Sequence, residues 1–230
     1  MPKQIAARRF QWKNKKKFAI TGSGGVLSLT VGYYLGYFAL GFILAMILFY
    51  KSNIYLQKAN TWRLGAEGEE KVARELEKLE KHTVFNDISL YESLGEKSNI
   101  DHLVIGRNGA FLIETKNHRG TISCNGDEWV QEKVGTLGTR YLGGLKNPSR
   151  QAKRNAASLR EFLEKNTDDL RIWVNAVIVF TNEEAQLNIS NPTVTVLRAE
   201  GLNDFIMNFK SQKRYSQGEV EKLSEIINRM

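Results

Sequence analysis

Three side chains on two adjoining apolar runs could do chemistry together: Asp101, Glu114 and Lys116. Asp101 precedes His102-Leu103-Val104-Ile105, and Glu114 and Lys116 close the run Ala110-Phe111-Leu112-Ile113-Glu114-Thr115-Lys116. Asn108-Gly109 between the runs reads as a two-residue hairpin turn, because both residue types accept positive φ. With that turn Arg107 pairs with Ala110, Leu103 lies opposite Glu114, and Asp101 opposite Lys116. Side chains alternate with period two, so all three groups share a face. A slip of one residue would turn Asp101 away. Two neighbouring carboxylates repel unless a cation or proton lies between them. Oxygen ligands of this kind suit Mg²⁺ or Mn²⁺. Such a metal acidifies bound water and stabilises charge on a phosphoryl oxygen. Lys116 beside it could position the water or steady the phosphate. These are parts for phosphodiester hydrolysis. Glu114-x-Lys116 alone would also describe a solvated edge ladder. The apolar run before it and the nearby Asp101 favour the lip of a core.

Two further polar residues border apolar faces. Glu69 precedes Val72, Ala73 and Leu76 by three, four and seven residues, which puts it on the inward face of a helix. A carboxylate buried there needs a partner or a metal; the plainer alternative is an acid favoured near a helix start. Gln151 borders the inward stripe of a later helix, with capping or surface exposure as its plainer roles.

The elements that must position these groups follow from periodicity. Trp62 to Lys81 reads as an amphipathic helix. Strands follow at Thr83–Asp87, His102–Gly106 and Ala110–Lys116, then a hairpin arm from Gly120 to Gln131 that turns at Asn125-Gly126. Asn147-Pro148 caps and opens a helix that reaches Lys165, with Ala152, Ala156, Leu159 and Leu163 inward. Ile172 to Phe180 is apolar enough for a buried central strand. Val194–Leu197 adds a strand, and two short helices finish the chain. The order predicts an α/β fold with one mixed sheet flanked by helices.

The net charge of +8 over 230 residues is local in origin. Residues 1–17 hold seven Lys and Arg, among them Lys3, Arg8 and Arg9, and no acid. Taking 7 from 33 leaves 26 basic residues against 25 acidic ones. Residues 18–50 carry no charged side chain, and a bilayer needs roughly 20 apolar residues of helix. The expected layout is a basic tail (1–17), a transmembrane segment (18–50), a linker (51–62), a soluble core (63–181) and a closing segment (182–230). The favoured helix is Val26–Tyr50, a single pass. Seven Lys/Arg before it would then keep the tail inside and put the domain outside. The alternative is a re-entrant hairpin with both ends inside. Gly32-xxx-Gly36 permits close helix contact, and thus a homo-oligomer through this segment. A basic tail beside such a segment suits anionic lipid. From Lys133 to Arg160 there are seven basic residues and no acid. Arg140, Lys146, Arg150, Lys153 and Arg154 are the candidate phosphate contacts, and Gly135, Gly138, Gly143 and Gly144 suggest a loop there. A solvated helix face is the plainer account. Cys124 is the single cysteine and excludes an internal disulfide. His82, His102 and His118 lack metal-ligand spacing.

Four blocks, taken in order, resemble a known family: Gly65-x-x-Gly68-Glu69-x-x-Val72, Ile100-Asp101-His102-Leu103-Val104, Phe111-Leu112-Ile113-Glu114-Thr115-Lys116 and Asn147-Pro148-x-x-Gln151. They look like the NERD (nuclease-related) domain, of the PD-(D/E)xK, restriction-endonuclease-like fold. The resemblance implies a catalytic core of Glu69, Asp101, Glu114 and Lys116, with Gln151 from the later helix. It adds the Thr115 carbonyl as a further metal ligand. Ile100 stands where the motif's name has proline. The expectation is a membrane-anchored, Mg²⁺- or Mn²⁺-dependent nuclease acting on DNA. The alternative is a non-catalytic membrane module that binds nucleic acid or protein on the same fold.

Overall fold

A computed structural model describes residues 2–91, 97–167, 170–211 and 213–229. They form two compact units, residues 1–67 and 68–230.

The first unit is a helical hairpin. Helix α1 (Pro2–Tyr34) turns through Leu35-Gly36-Tyr37 into α2 (Phe38–Leu76). Gly36 has φ +73°, a left-handed conformation that glycine adopts without a Cβ penalty. Small residues let the two backbones touch. A Cβ on Gly32 would lie 2.9 Å from the Gly41 Cα, and one on Gly41 would lie 2.6 Å from the Ser28 carbonyl oxygen. Further down the seam, the Ser52 hydroxyl donates to the Phe18 carbonyl at 3.1 Å. Ala45, Ser52 and Ala59 are buried in the seam while Leu27, Phe42, Ile43 and Ile47 point outward.

This corrects the expected single helix Val26–Tyr50, which the turn interrupts at 35–37. Gly32 packs against Gly41 of the same chain, and Gly36 is the turn itself, so the two glycines do not act as a pair. Residues 51–62, expected as a linker, are helical, and the amphipathic helix expected from Trp62 is the end of α2. Among the described residues, α2 is the helix long and apolar enough to cross a membrane. The side chains of Lys3, Arg8 and Arg9 lie outside the described residues.

The second unit is mixed α/β. In chain order its strands are β1 (Thr83–Tyr91), β2 (Lys97–Gly106), β3 (Gly109–Lys116), β4 (Gly120–Asn125), β5 (Glu128–Val134), β6 (Arg140–Leu142), β7 (Val174–Phe180), β8 (Ala185–Ser190) and β9 (Thr195–Arg198). The helices are α3 (Pro148–Lys165), α4 (Leu202–Asn208) and α5 (Gln217–Asn228). One sheet runs β1-β2-β3-β7-β9, antiparallel through β3 and parallel beyond it. One core joins Leu103, Ile105 and Leu112 to Leu159 and Leu163 of α3 and Leu223 of α5. A second joins Val104, Phe111, Ile113 and Val177 to Val72 and Leu76 of α2 and Ile206 of α4. The inward-outward alternation of β3 explains how one strand serves both.

The expected single mixed sheet is in fact two. The second runs β6-β5-β4-β8. The chain leaves β3 at Lys116 and resumes as β4 at Gly120, while β7 leaves at Phe180 and resumes as β8 at Ala185. At the break the Thr181 amide donates to the Lys116 carbonyl at 3.0 Å. Gly120 has φ +91°, and a Cβ there would strike the Glu132 carbonyl oxygen at 2.3 Å. The glycine-rich stretch expected as a loop is partly structured: Gly135 and Gly138 bracket a tight turn, and the chain returns as β6.

Candidate active site

Four of the candidate residues, Asp101, Glu114, Lys116 and Gln151, come together at the break at the end of β3. Glu114 is 1% exposed, with its side chain on the face of β3 that α3 covers. Lys116, two residues on, returns to the same face. Its ammonium donates to Glu114 Oε1 at 2.6 Å and to Gln151 Oε1 at 3.1 Å. Helix α3 delivers Gln151 because its N-terminus is fixed. The Asn147 carboxamide oxygen caps the Arg150 amide at 2.9 Å, and the Asn147 carboxamide nitrogen donates to the Asp127 carbonyl at 2.7 Å. The Trp129 indole N–H donates to the Ser149 hydroxyl at 2.9 Å.

Asp101 arrives from β2 in a register two residues from the expected one. Ile105, not Arg107, stands opposite Ala110, and Leu103 stands opposite Leu112. The turn is Arg107-Asn108, closed by the pair Gly106–Gly109. The reason lies outside the hairpin. A Cβ on Gly106 would meet the His82 ring at 2.2 Å, and the Asn108 side chain bonds His82 and the Ile206 carbonyl instead of supplying a positive φ. A shift of two preserves the faces. Continued outward, this register sets Asp101 across from Glu114 in place of Lys116.

Alternation does not carry all the way to Asp101. Leu103 and Ile105 enter the α3-side core, but so does Ile100. The pattern resets at Asp101 and at its β1 neighbour Asp87, which the pairs Asn86–His102 and Ile88–Ile100 bracket. Asp87 has φ 58°, a left-handed conformation that is uncommon outside glycine. Asp101 Oδ2 accepts the Thr115 amide at 2.9 Å, which ties the carboxylate to β3 beside Glu114. The positive φ of Asp87 has no sequence signal, because nothing in an unpaired strand pattern marks a backbone irregularity.

Glu69 comes from the other face of the sheet, since α2 packs on the opposite core from α3. Its predecessor Gly68 approaches the break closely: a Cβ there would lie 2.7 Å from Asn117 Cβ and 2.8 Å from Thr181 Oγ1. Glu69 is half-buried at that end of α2. Among the described residues no three His, Cys, Asp or Glu side chains are grouped closely enough to hold a metal by themselves. A magnesium ion commonly uses one or two carboxylates and completes its shell with water and substrate phosphate. The pair Asp101 and Glu114, with the Thr115 carbonyl, has the chemistry for that smaller set.

His118 lacks metal-ligand spacing, yet it lies beside the site, within reach of the Lys116 charge. Burial, then the Lys116 charge, hold its pKa below the usual imidazole range, against the neighbouring Gln131 carboxamide, which works the other way. The basic residues fare unevenly. Lys153 is paired with Asp127 at 2.7 Å, and Arg140 reaches only 4.0 Å from Glu132. Lys146, Arg150 and Arg154 are exposed.

Residues 64–181 match the nuclease-related domain. The chain belongs to that family. The four sequence blocks all fall within the matched residues. An uncharacterized protein of Bacillus anthracis is 29% identical over 127 residues, 54% of this chain. The chain spans 57% of that relative's length. No solved structure matches the chain.

Proposed function

We propose that this nuclease-related domain protein is a membrane-tethered, divalent-metal-dependent nuclease acting on DNA. One observation carries the reading: Glu114, Lys116 and Gln151 are hydrogen-bonded at a strand end, with Asp101 fastened beside them through the Thr115 amide. Asp101, Glu114 and the Thr115 carbonyl would hold Mg²⁺ or Mn²⁺, with Glu69 approaching from α2. The ion supplies an acidified water and charge stabilisation at phosphorus. Lys116 places a cation where negative charge builds up on the phosphate, and Gln151 holds that ammonium in line. The exposed Arg150 and Arg154 on α3, with Lys146 before it, would contact the phosphate backbone. Hydrophobic α2 provides the tether.

The full chain in detergent micelles, incubated with supercoiled plasmid, tests this. Nicking should require Mg²⁺ or Mn²⁺, stop with a chelator, and vanish in Asp101→Ala and Lys116→Ala. Nicking that persists in both variants overturns the proposal.

A second reading has its own support. Lys116 is already engaged by Glu114, and no three-carboxylate group is present among the described residues. A non-catalytic module on this fold would bind nucleic acid or a protein with an affinity that Lys116→Ala leaves unchanged.

A further inference from the structure

The first unit has a polar end and an apolar end. From Phe18 to Tyr50 no side chain is charged, and this stretch contains the turn at Leu35-Gly36-Tyr37. Glycine, alanine and serine fill the seam, so the large apolar side chains have nowhere to go but outward. Tyr34, Leu35, Tyr37 and Phe38 crown the turn, all well exposed. An apolar surface of this extent around a helix pair needs a membrane or a protein partner to cover it. The cations collect at the other end. Lys13, Lys15, Lys16 and Lys17 of α1 lie level with Lys51 and Lys58 of α2. The level is set by the Ser52 bond to the Phe18 carbonyl and by the Lys17 ammonium, 5.3 Å from the Tyr55 ring centre.

We infer that this hairpin inserts tip-first into an anionic bilayer, so that the nuclease-related domain stays on the same side as the basic tail, the cytoplasmic side. This rests on the membrane-tethered reading above and reverses the compartment expected for a single pass. The uncharged arms hold 17 residues (18–34) and 13 (38–50), or about 25 and 20 Å of helix at 1.5 Å per residue. Hydrocarbon is roughly 30 Å thick, so the uncharged part reaches into the far leaflet and the basal lysines stay near the entry face. Those lysines are complementary to acidic headgroups there. With cations at the base and none at the tip, the rule that Lys and Arg remain inside assigns the base to the cytoplasm. The chain leaves the hairpin at the end where it entered, so whatever follows shares the tail's compartment.

Single-cysteine variants of the full chain, made on Cys124→Ala and expressed in bacteria, test the side. Lys15→Cys reports the tail and Glu184→Cys the domain. With a membrane-impermeant maleimide, both should be silent in spheroplasts and both labelled in inverted membrane vesicles. Labelling of one site in each preparation, or of both in spheroplasts, overturns the inference while leaving the membrane tether intact. Recovery of the chain in the soluble fraction, as an oligomer covering its own hairpins, overturns both.

Discussion

Two lysine–carboxylate pairs in this protein have nearly the same length and unlike surroundings. Lys116 meets Glu114 at 2.6 Å with side-chain exposures of 14% and 2%, and Lys153 meets Asp127 at 2.7 Å with exposures of 43% and 49%. Water screens the second pair, and ions compete for it. The first is withdrawn from water, at a desolvation cost on the order of several kcal/mol per ion. An apolar pair would be easier to bury at that position. The proposed nuclease chemistry would account for a charged pair kept there, whereas the exposed pair is a strap between α3 and the β4–β5 turn.

The largest expected effect tests that contrast at Lys116. Lys116→Ala should lower plasmid nicking by roughly 10²- to 10³-fold, the scale for losing one transition-state donor. It should also lower the melting temperature, because a buried charge left behind costs about 3–5 kcal/mol. The double variant Lys116→Met with Glu114→Leu should recover most of the stability and none of the activity. A double variant no more stable than Lys116→Ala would mean that the buried pair is a stability device, and the contrast would fail.

A steric effect ranks next. Gly68 lies against Asn117 and Thr181 at the break, with no room for a Cβ. Gly68→Val should destabilise by roughly 1–3 kcal/mol, as overpacking does. Gly201, whose Cβ would meet nothing within 4 Å, is the control position for the same substitution. Equal melting temperatures for the two variants would show that α2 is not tightly seated at the break.

These positions also show what sequence reveals and what it hides. The α3 helix, its Asn147 cap and its inward stripe were legible, because capping and 3.6-residue periodicity are local. So was the shared face of Glu114 and Lys116, which alternation fixes within one strand. The hairpin register was not. It depends on His82 packing against Gly106, a contact between residues 24 apart in the chain. The second sheet was hidden for a like reason: β8 pairs in parallel with β4, and two backbone breaks, after Lys116 and after Phe180, send these strands away from the first sheet. The helical hairpin was masked by its own composition. Glycines that would weaken a lone helix became the contact surface of a pair. Glu69 was marked by its spacing on the inward face of its helix, whereas the irregularity at Asp87 is a tertiary fact with no local signature.

A smaller effect concerns proton uptake beside Lys116. Burial and the Lys116 charge hold His118 below its ordinary pKa, which is about 6.5. The folded state therefore favours the neutral ring. Stability is intact above about pH 6.5 and declines as pH falls from there toward the folded pKa, because the unfolded chain takes up the proton first. In His118→Gln this part of the slope should disappear. Melting temperatures of the two proteins, compared from neutral to mildly acidic pH, should converge as pH falls. Parallel curves would show that His118 does not sense the site's charge.

The smallest effect is expected at Lys153, and it completes the comparison. Asp127 is held below the usual carboxylate range first by the Lys153 hydrogen bond and then by that of Thr193. Its contribution is present above the ordinary Asp pKa of about 3.9 and is lost as pH falls through the folded value. Both partners are well exposed, so Lys153→Ala should move the melting temperature only slightly, and by less still at high salt. The same variant separates strap from clamp. A lysine already committed to Asp127 neutralises little phosphate, so Lys153→Ala should leave the salt dependence of DNA affinity almost unchanged. Arg150→Ala and Arg154→Ala should each reduce the slope by about one released ion. A slope that falls as much for Lys153 as for the two arginines would place this lysine on the nucleic acid, and its pairing with Asp127 would belong to the unbound protein alone.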